Sequence, residues 1–462
     1  MTWRNAFPFP LSDVSNGEWC PRPPNPKQRA AAALLAEEAD RRAKRLGLSR
    51  RAFLRTAAGT ATAYMVLNTV HGLDQTGDAA PLPVTPEQCN DPAAARDLFT
   101  ADYFVMDVQL HHVDLDHFNN PAFALLRFLE PGLPPEERVA HLSQINMVKE
   151  VFVDSETAVG VISGVPNGVP LPVETMAVTR DLVNELAGSP RALSQAMCDP
   201  RTAPGSATAI DSLEHQVKDL GARALKCYTG NGSWWLDDEE VAYPMLEEAT
   251  RLGLRMINVH KGFPALLGQM AETYVQSRDL PKVSRDWPRL NFVAYHSGYF
   301  PGPGITEFLG VVRSMRRRRN VYAEIGSAFA VSFTEGPTEA AHLIGSLLQA
   351  LGPERIVWGT DSIWWGSPQW QIDAFKALTI PPAMQEEFGY PPLTERAKRQ
   401  ILGLNAARLY RVNVRETRCA INADRLNALR LGLGGPEATR THLVYGPRTR
   451  REFLRLLARQ PA

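Results

Sequence analysis

Several common signatures are missing from this chain of 462 residues. Its five cysteines (Cys20, Cys89, Cys198, Cys227, Cys419) are scattered and form no CxxC pair. An odd, dispersed set argues against a disulfide framework or a structural zinc knuckle. Neither GxGxxG nor GxxxxGK[ST] occurs, so nucleotide binding has no local support. No run of eighteen apolar residues exists, which excludes a multi-span membrane protein. Charge of one sign is not in excess either: Lys+Arg and Asp+Glu number 50 each. No net field therefore recruits nucleic acid or an acidic membrane surface. No internal repeat of fixed period is visible. Hydrophobic content of 44% with 8% aromatics describes a globular core.

What is present is a series of short apolar runs, each followed by a polar residue. Asp107, Gln109 and His111 follow YFVM; His260 ends LRMINVH; His296 ends NFVAYH; Asp361 ends RIVWGTD. Buried parallel strands read as such runs. Amphipathic segments alternate with them, and eight strand–helix alternations fit between residues 101 and 412. The expected fold is α/β, a (β/α)8 TIM-like barrel with loop insertions, a helical N-terminal extension and a C-terminal tail. In such a barrel the singled-out residues all lie at the strand C-terminal ends, where function sits. Histidines and a carboxylate converging there suggest a divalent metal and an activated water. The expected organisation is 1–48, an extension with one helix over 27–46; 49–80, a targeting-like segment; 81–412, the barrel; and 413–462, a tail of one or two helices packing on the barrel or a partner subunit. A homo-oligomer, most simply a dimer, is expected. The Arg316–Arg319 run precedes the seventh strand and reads as a solvated face at the opposite rim.

The targeting-like segment is Ser49-Arg50-Arg51-Ala52-Phe53-Leu54-Arg55 followed by TAAGTATAYMVLNTV. A twin arginine before a weakly apolar stretch looks like a twin-arginine export signal. It implies the twin-arginine export machinery as a partner and a periplasmic or otherwise exported location, or a cytoplasmic one where the signal is not used. A small-residue cleavage site near Asp78-Ala79-Ala80 is ill-defined, so an uncleaved anchor is also consistent. The alternative is an exposed helix opened by Ser49 as N-cap.

The pattern DxQxH at 107–111, VHKG at 259–262, YHSG at 295–298, GTDS at 359–362 and ILGLNAARLY at 401–410 resembles the amidohydrolase superfamily. It is most similar to the amidohydrolase-related branch of aminocarboxymuconate-semialdehyde decarboxylase-like enzymes. The resemblance implies one divalent ion, zinc or manganese. His111, His260 and Asp361 would hold it, Asp361 would also take a proton from water, and His296 would orient water or substrate. The family's first strand usually ends in HxH; here Gln109 stands first, a further candidate ligand whose neutral amide oxygen favours oxygen-seeking ions. His112 should point to the opposite face and pack. His117 lies in the following loop and could line the pocket. Lys226 is expected to contact a substrate carboxylate or an acid, with carbamylation the lesser reading, and Cys227 to fill core. Glu324 is a second acid or base, or a partner for Lys226 or Arg255. Tyr228, Trp234, Trp235, Trp364 and Trp365, with Trp370, suggest rim loops around a flat aromatic substrate, or else packing of long loops.

The expected activity is metal-dependent hydrolysis of an ester, lactone or amide of a small molecule. A non-oxidative decarboxylase of an aromatic or muconate-like acid is the alternative. A metal-free small-molecule binding protein is the third reading.

Overall fold

The eight apolar runs fold as eight short strands, all paired in parallel: β1 Val105–Leu110, β2 Thr157–Ile162, β3 in two pieces (Ala192–Ser194 and Ala196–Met197), β4 Leu225–Cys227, β5 Met256–Gly262, β6 Asn291–Tyr299, β7 Val321–Glu324 and β8 Ile356–Val357. The structure is a computed structural model that describes residues 7–16, 18–73, 79–114, 142–166, 168, 170–264, 270–315, 319–435, 446 and 448–457. The call of a pocket-lining role for His117 lies outside these residues, as do positions 316–318 of the arginine run.

The sheet closes on itself. β3 is interrupted at Gln195, whose N–H still reaches Ile162 O at 3.2 Å. Its side chain turns inward and donates to the Tyr295 hydroxyl at 2.7 Å. β8 returns to β1 through Val108 N–H to Trp358 O at 3.1 Å, Asp361 N–H to Gln109 O at 3.1 Å and His111 N–H to Ser362 O at 2.6 Å. The buried Asp107 carboxylate accepts from the Thr360 N–H at 3.2 Å and from the Thr360 hydroxyl. Burial pushes its pKa up to about 7 against these bonds. Asp107 is therefore a rivet of the closing seam and faces away from the chemistry. The result is the expected (β/α)8 barrel, with strands buried on both faces and helices outside.

One helix starts later than its acids suggest. The acidic run 237–240 forms a turn in which Asp238 Oδ1 accepts the N–H groups of Glu240 and Val241, both at 3.1 Å. The helix begins at Tyr243, where Pro244 sets its first turn. The closing ILGLNAARLY segment carries a π turn, Gln400–Leu404, against β1. A Cβ on Gly403 would lie 1.8 Å from Phe104 O, so only glycine permits that approach.

The N-terminal extension is built into the body. α1 (Pro26–Arg45) opens with an Asn25/Gln28 capping box. α2 (Arg50–Leu54) is capped by Ser49, with Arg50 and Arg51 exposed. α3 (Ala57–Val70) is the weakly apolar stretch, and it is buried along most of its length. Its small residues let backbones meet: a Cβ on Gly59 would lie 2.3 Å from Phe53 O. Tyr64 packs against Phe9 at 5.6 Å and against Phe99 and Phe333 at 6.3 Å each. Phe333 belongs to the helix Gly326–Glu335 that follows β7. Among the described residues no helix is long and apolar enough to cross a membrane. The tail packs on the barrel through a buried ion pair, Arg191 to Asp424 at 2.8 Å.

Tyr64→Ala should cost about 3–5 kcal/mol of stability, as for other large aromatic truncations in cores. Chemical denaturation measures it. A loss below about 1 kcal/mol would mean that α3 is not seated in the core.

Candidate metal centre

β1 alternates its side chains, so Gln109 and His111 share one face. β5 brings His260, β6 brings His296, and the turn after β8 brings Asp361; all five are buried. His296 (φ 60°) and Asp361 (φ 57°) both adopt left-handed backbone conformations, uncommon outside glycine. The Glu324 carboxylate holds the first by accepting the His296 N–H at 2.8 Å. The β1 carbonyl of Gln109 holds the second. Local strain of this kind concentrates where side-chain aim matters.

Backbone carbonyls fix the ring tautomers. His111 Nδ1 lies 2.7 Å from Ser163 O, and His260 Nε2 lies 3.0 Å from Gly262 O. A carbonyl only accepts, so each of these nitrogens carries the proton and the other presents its lone pair. His111 Nε2 then faces Asp361 Oδ1 at 3.1 Å. The Gln109 amide stands between these two acceptors, its Nε2 3.4 Å from His111 Nε2 and 3.1 Å from Asp361 Oδ1, and a cation there would serve both. Ligand atoms about 2.1 Å from one ion, at tetrahedral or octahedral angles, stand about 3.0–3.4 Å apart. Gln109 Nε2 donates to Asp361 Oδ1 at 3.1 Å and lies 3.3 Å from His296 Nε2. Gln109 Oε1, His260 Nδ1 and His296 Nδ1 are buried without a hydrogen-bond partner among the described residues. Buried orphans of this type are uncommon in folded proteins and fit a divalent ion.

Charge follows the same arrangement. Burial alone would raise the Asp361 pKa. The His111 hydrogen bond, the neighbouring histidines and the Ser327 hydroxyl outweigh it and hold the carboxylate well below its usual range. Burial lowers His296 to about 3 and takes His260 well below its ordinary value.

A segment that reads as coil in the sequence enters the barrel mouth. Asn16 Nδ2 donates to Asp361 Oδ2 at 2.8 Å and to Glu18 Oε2 at 2.8 Å. Glu18 Oε1 lies 3.5 Å from His260 Nδ1, and Oε2 lies 3.7 Å from His296 Nε2. Donor atoms of Glu18, His260 and His296 all lie within 4.8 Å of one another. Trp19 covers the group, its ring 4.4 Å from Phe263 and 6.1 Å from Trp365. No period or motif marks Asn16, Glu18 or Trp19, and sequence reasoning missed all three.

The remaining residues divide between site and core. Tyr228 stacks on His260 at 5.2 Å and donates its hydroxyl to Gly164 O at 2.8 Å. Lys226 makes no ion pair among the described residues: its amine is buried, 3.6 Å from the Tyr295 ring centre and 4.7 Å from that of Tyr228. Burial lowers it to about 8, against the opposing charges of Glu18 and Glu324. Glu324 sits at the end of β7 with both oxygens on backbone N–H groups, of His296 and Gly326, and burial raises it to about 8. Trp365 lies at the site, its Nε1 donating to Ser327 Oγ at 3.0 Å. Trp364 is half-buried. Trp234 is enclosed in the main core, away from any rim. Trp235 packs on Tyr274 under the Arg278 guanidinium, 3.8 Å away. Trp370 donates to Trp365 O within the core. Cys227 is buried filling. His112 points away from His111, onto the Thr179 hydroxyl at 2.8 Å.

The barrel and its converging histidines and carboxylates define an enzyme site of the metal-assisted type. Residues 147–412 match the Amidohydrolase family, and the chain belongs to that family. No curated protein matches the sequence significantly. Solved structures with a similar fold include 2,6-dihydroxybenzoate decarboxylase from Rhizobium (16% identity, 67% of this chain and 99% of that one, TM-score 0.42). Another is 5-carboxyvanillate decarboxylase from Novosphingobium aromaticivorans, complexed with manganese (12% identity, 73% and 100%, TM-score 0.44). A third, from Acinetobacter baumannii, is assigned as a 2-pyrone-4,6-dicarboxylic acid hydrolase (13% identity, 66% and 98%, TM-score 0.39).

His112 gives a pH prediction. Burial lowers its pKa to about 4, from 6.5. The folded protein then binds fewer protons than the unfolded chain below pH 6.5, so stability falls as pH drops from about 6.5 to about 4. His112→Asn should lose about 3 kcal/mol less than wild type across that window. Parallel pH-dependent denaturation curves would contradict the assignment.

Proposed function

We propose that this enzyme is a metal-dependent hydrolase of an ester, lactone or amide in a small, flat substrate. The observation that carries it is the charged Asp361, whose Oδ1 faces the carbonyl-aimed lone pair of His111 at 3.1 Å, with the His260 lone pair likewise aimed by Gly262 O. His111 through Nε2 and Asp361 through Oδ1, which stand 3.1 Å apart, would hold the ion with Gln109 beside them, and His260 would join through Nδ1 from the neighbouring cluster it forms with Glu18 and His296. When bound, zinc or manganese there polarises a carbonyl and lowers the pKa of a water toward neutrality. Asp361 collects the proton of that water, because its carboxylate is kept ionised by its neighbours. His296, whose Nε2 lies 3.3 Å from Gln109 Nε2 and 3.7 Å from Glu18 Oε2, would orient the substrate oxygen. Tyr228, Phe263, Trp19 and Trp365 exclude water and provide flat apolar walls.

A decarboxylase would use the same holders but must deliver a proton to carbon. Glu324 has backbone N–H groups on both its oxygens, and Glu18 at the mouth is the other carboxyl that burial pushes up. Asp361→Asn should lower kcat by about 10²–10⁴ with the fold intact, as loss of a general base does. Turnover in ¹⁸O-labelled water should place the label in product without CO₂ release. Stoichiometric CO₂ would replace the hydrolase with the decarboxylase, and inactivity with every divalent ion would favour a binding protein.

For location we propose export with the N-terminal segment retained. The twin-arginine pattern at 50–51 supports export, and the burial of α3 together with Asn16 and Glu18 at the site supports retention. Fractionation with N-terminal sequencing tests it: exported protein should keep Glu18, and either a cytoplasmic location or a start near residue 80 would overturn the proposal.

A further inference from the structure

Gln109 leaves the barrel with one anionic ligand, Asp361, where the ion carries two charges. A second carboxylate stands at the mouth, and it comes from outside the barrel. Glu18 is buried, yet no Lys or Arg forms an ion pair with it among the described residues. A buried carboxylate without a cationic partner is costly. Besides the Asn16 amide at 2.8 Å, it faces the Nδ1 lone pair of His260 at 3.5 Å and Nε2 of His296 at 3.7 Å. These spacings are close to the ligand–ligand separations of about 3.0–3.4 Å around one ion. His260 Nδ1 is one of the buried atoms that no hydrogen bond satisfies, and its ring proton is committed to Gly262 O.

Asn16 makes the arrangement a built one. Its Nδ2 bridges Asp361 Oδ2 and Glu18 Oε2, at 2.8 Å each. Its Oδ1 accepts the Glu18 N–H at 2.9 Å and locks the turn. One amide thus ties the inner oxygens of two carboxylates together. The other oxygen of each faces a histidine: Asp361 Oδ1 faces His111, and Glu18 Oε1 faces His260. The segment is anchored on both sides. Trp19 packs on Phe263 at 4.4 Å on one side, and Phe9 packs edge-on to Phe333 at 5.2 Å on the other.

We infer that Glu18 is a metal ligand, supplied to the barrel by the N-terminal segment as a second negative charge beside Asp361. The inference rests on the metal-dependent reading above. It makes the centre a composite of two distant parts of the chain, with Asn16 as the positioning residue between its carboxylates.

The test is binding of zinc or manganese alone to the full chain, by titration calorimetry, with the visible spectrum of the cobalt form as a second readout. Glu18→Gln keeps the shape and removes the charge; Glu18→Ala serves if the amide disturbs the segment. Either should weaken binding by about 100-fold or more, beyond the range for outer partners, and change the cobalt spectrum, with far-UV circular dichroism unchanged. Adding Gln109→Glu to Glu18→Gln should recover at least about a tenth of the lost affinity. Affinity within about twofold of wild type in both Glu18 variants, while His260→Ala abolishes binding, would overturn this inference alone. Absence of binding by wild type would overturn the metal-dependent reading together with it.

Discussion

Two backbone carbonyls govern the barrel mouth. Ser163 O and Gly262 O take the ring protons of His111 and His260, and so decide which nitrogen of each faces inward. Without those acceptors the rings could rotate or change tautomer, and Asp361 would face donors as readily as lone pairs. With them, acceptor meets acceptor across the site, an arrangement that the Gln109 amide bridges and that a cation would satisfy. The left-handed backbones at His296 and Asp361 serve the same end, since each turns a side chain inward at a point where the strand would carry it past.

Barrel closure puts the two carbonyls in place. Ser163 follows β2, Gly262 ends β5, and their distance around the ring is set by parallel pairing that passes through the two pieces of β3. The seam between β8 and β1 is where this pairing is thinnest, for β8 is short. Asp107 and Thr360 reinforce it from the side chains, and the π turn with Gly403 presses on β1 from outside. A site built across a seam is sensitive to that seam, which accounts for a buried carboxylate spent on structure two positions before Gln109.

Much of this was legible in the residues. Buried parallel strands are continuous apolar runs, so all eight could be placed, and His260, His296 and Asp361 stood out because each ends such a run. Period two correctly separated His111 from His112. The aromatic loops were less legible: burial of a tryptophan depends on what lies above the loop, so Trp234 is core while Trp365 reaches the site. The Ala-, Gly- and Thr-rich stretch that suggests an export signal has the composition that a closely packed helix also needs, and α3 is such a helix. Glu18 and Asn16 were invisible. Their function comes from contacts as far as 345 positions along the chain, made by a segment with no repeat to read.

The site is thus barrel and extension together, and its central claim is that it holds an ion. The most direct measurement is elemental analysis of the purified full-length protein by mass spectrometry, with His260→Ala alongside. The account predicts about one equivalent of zinc or manganese in the wild type, lost in the variant. Metal-free wild-type protein that takes up neither ion on addition, or a variant that retains its full equivalent, would contradict it.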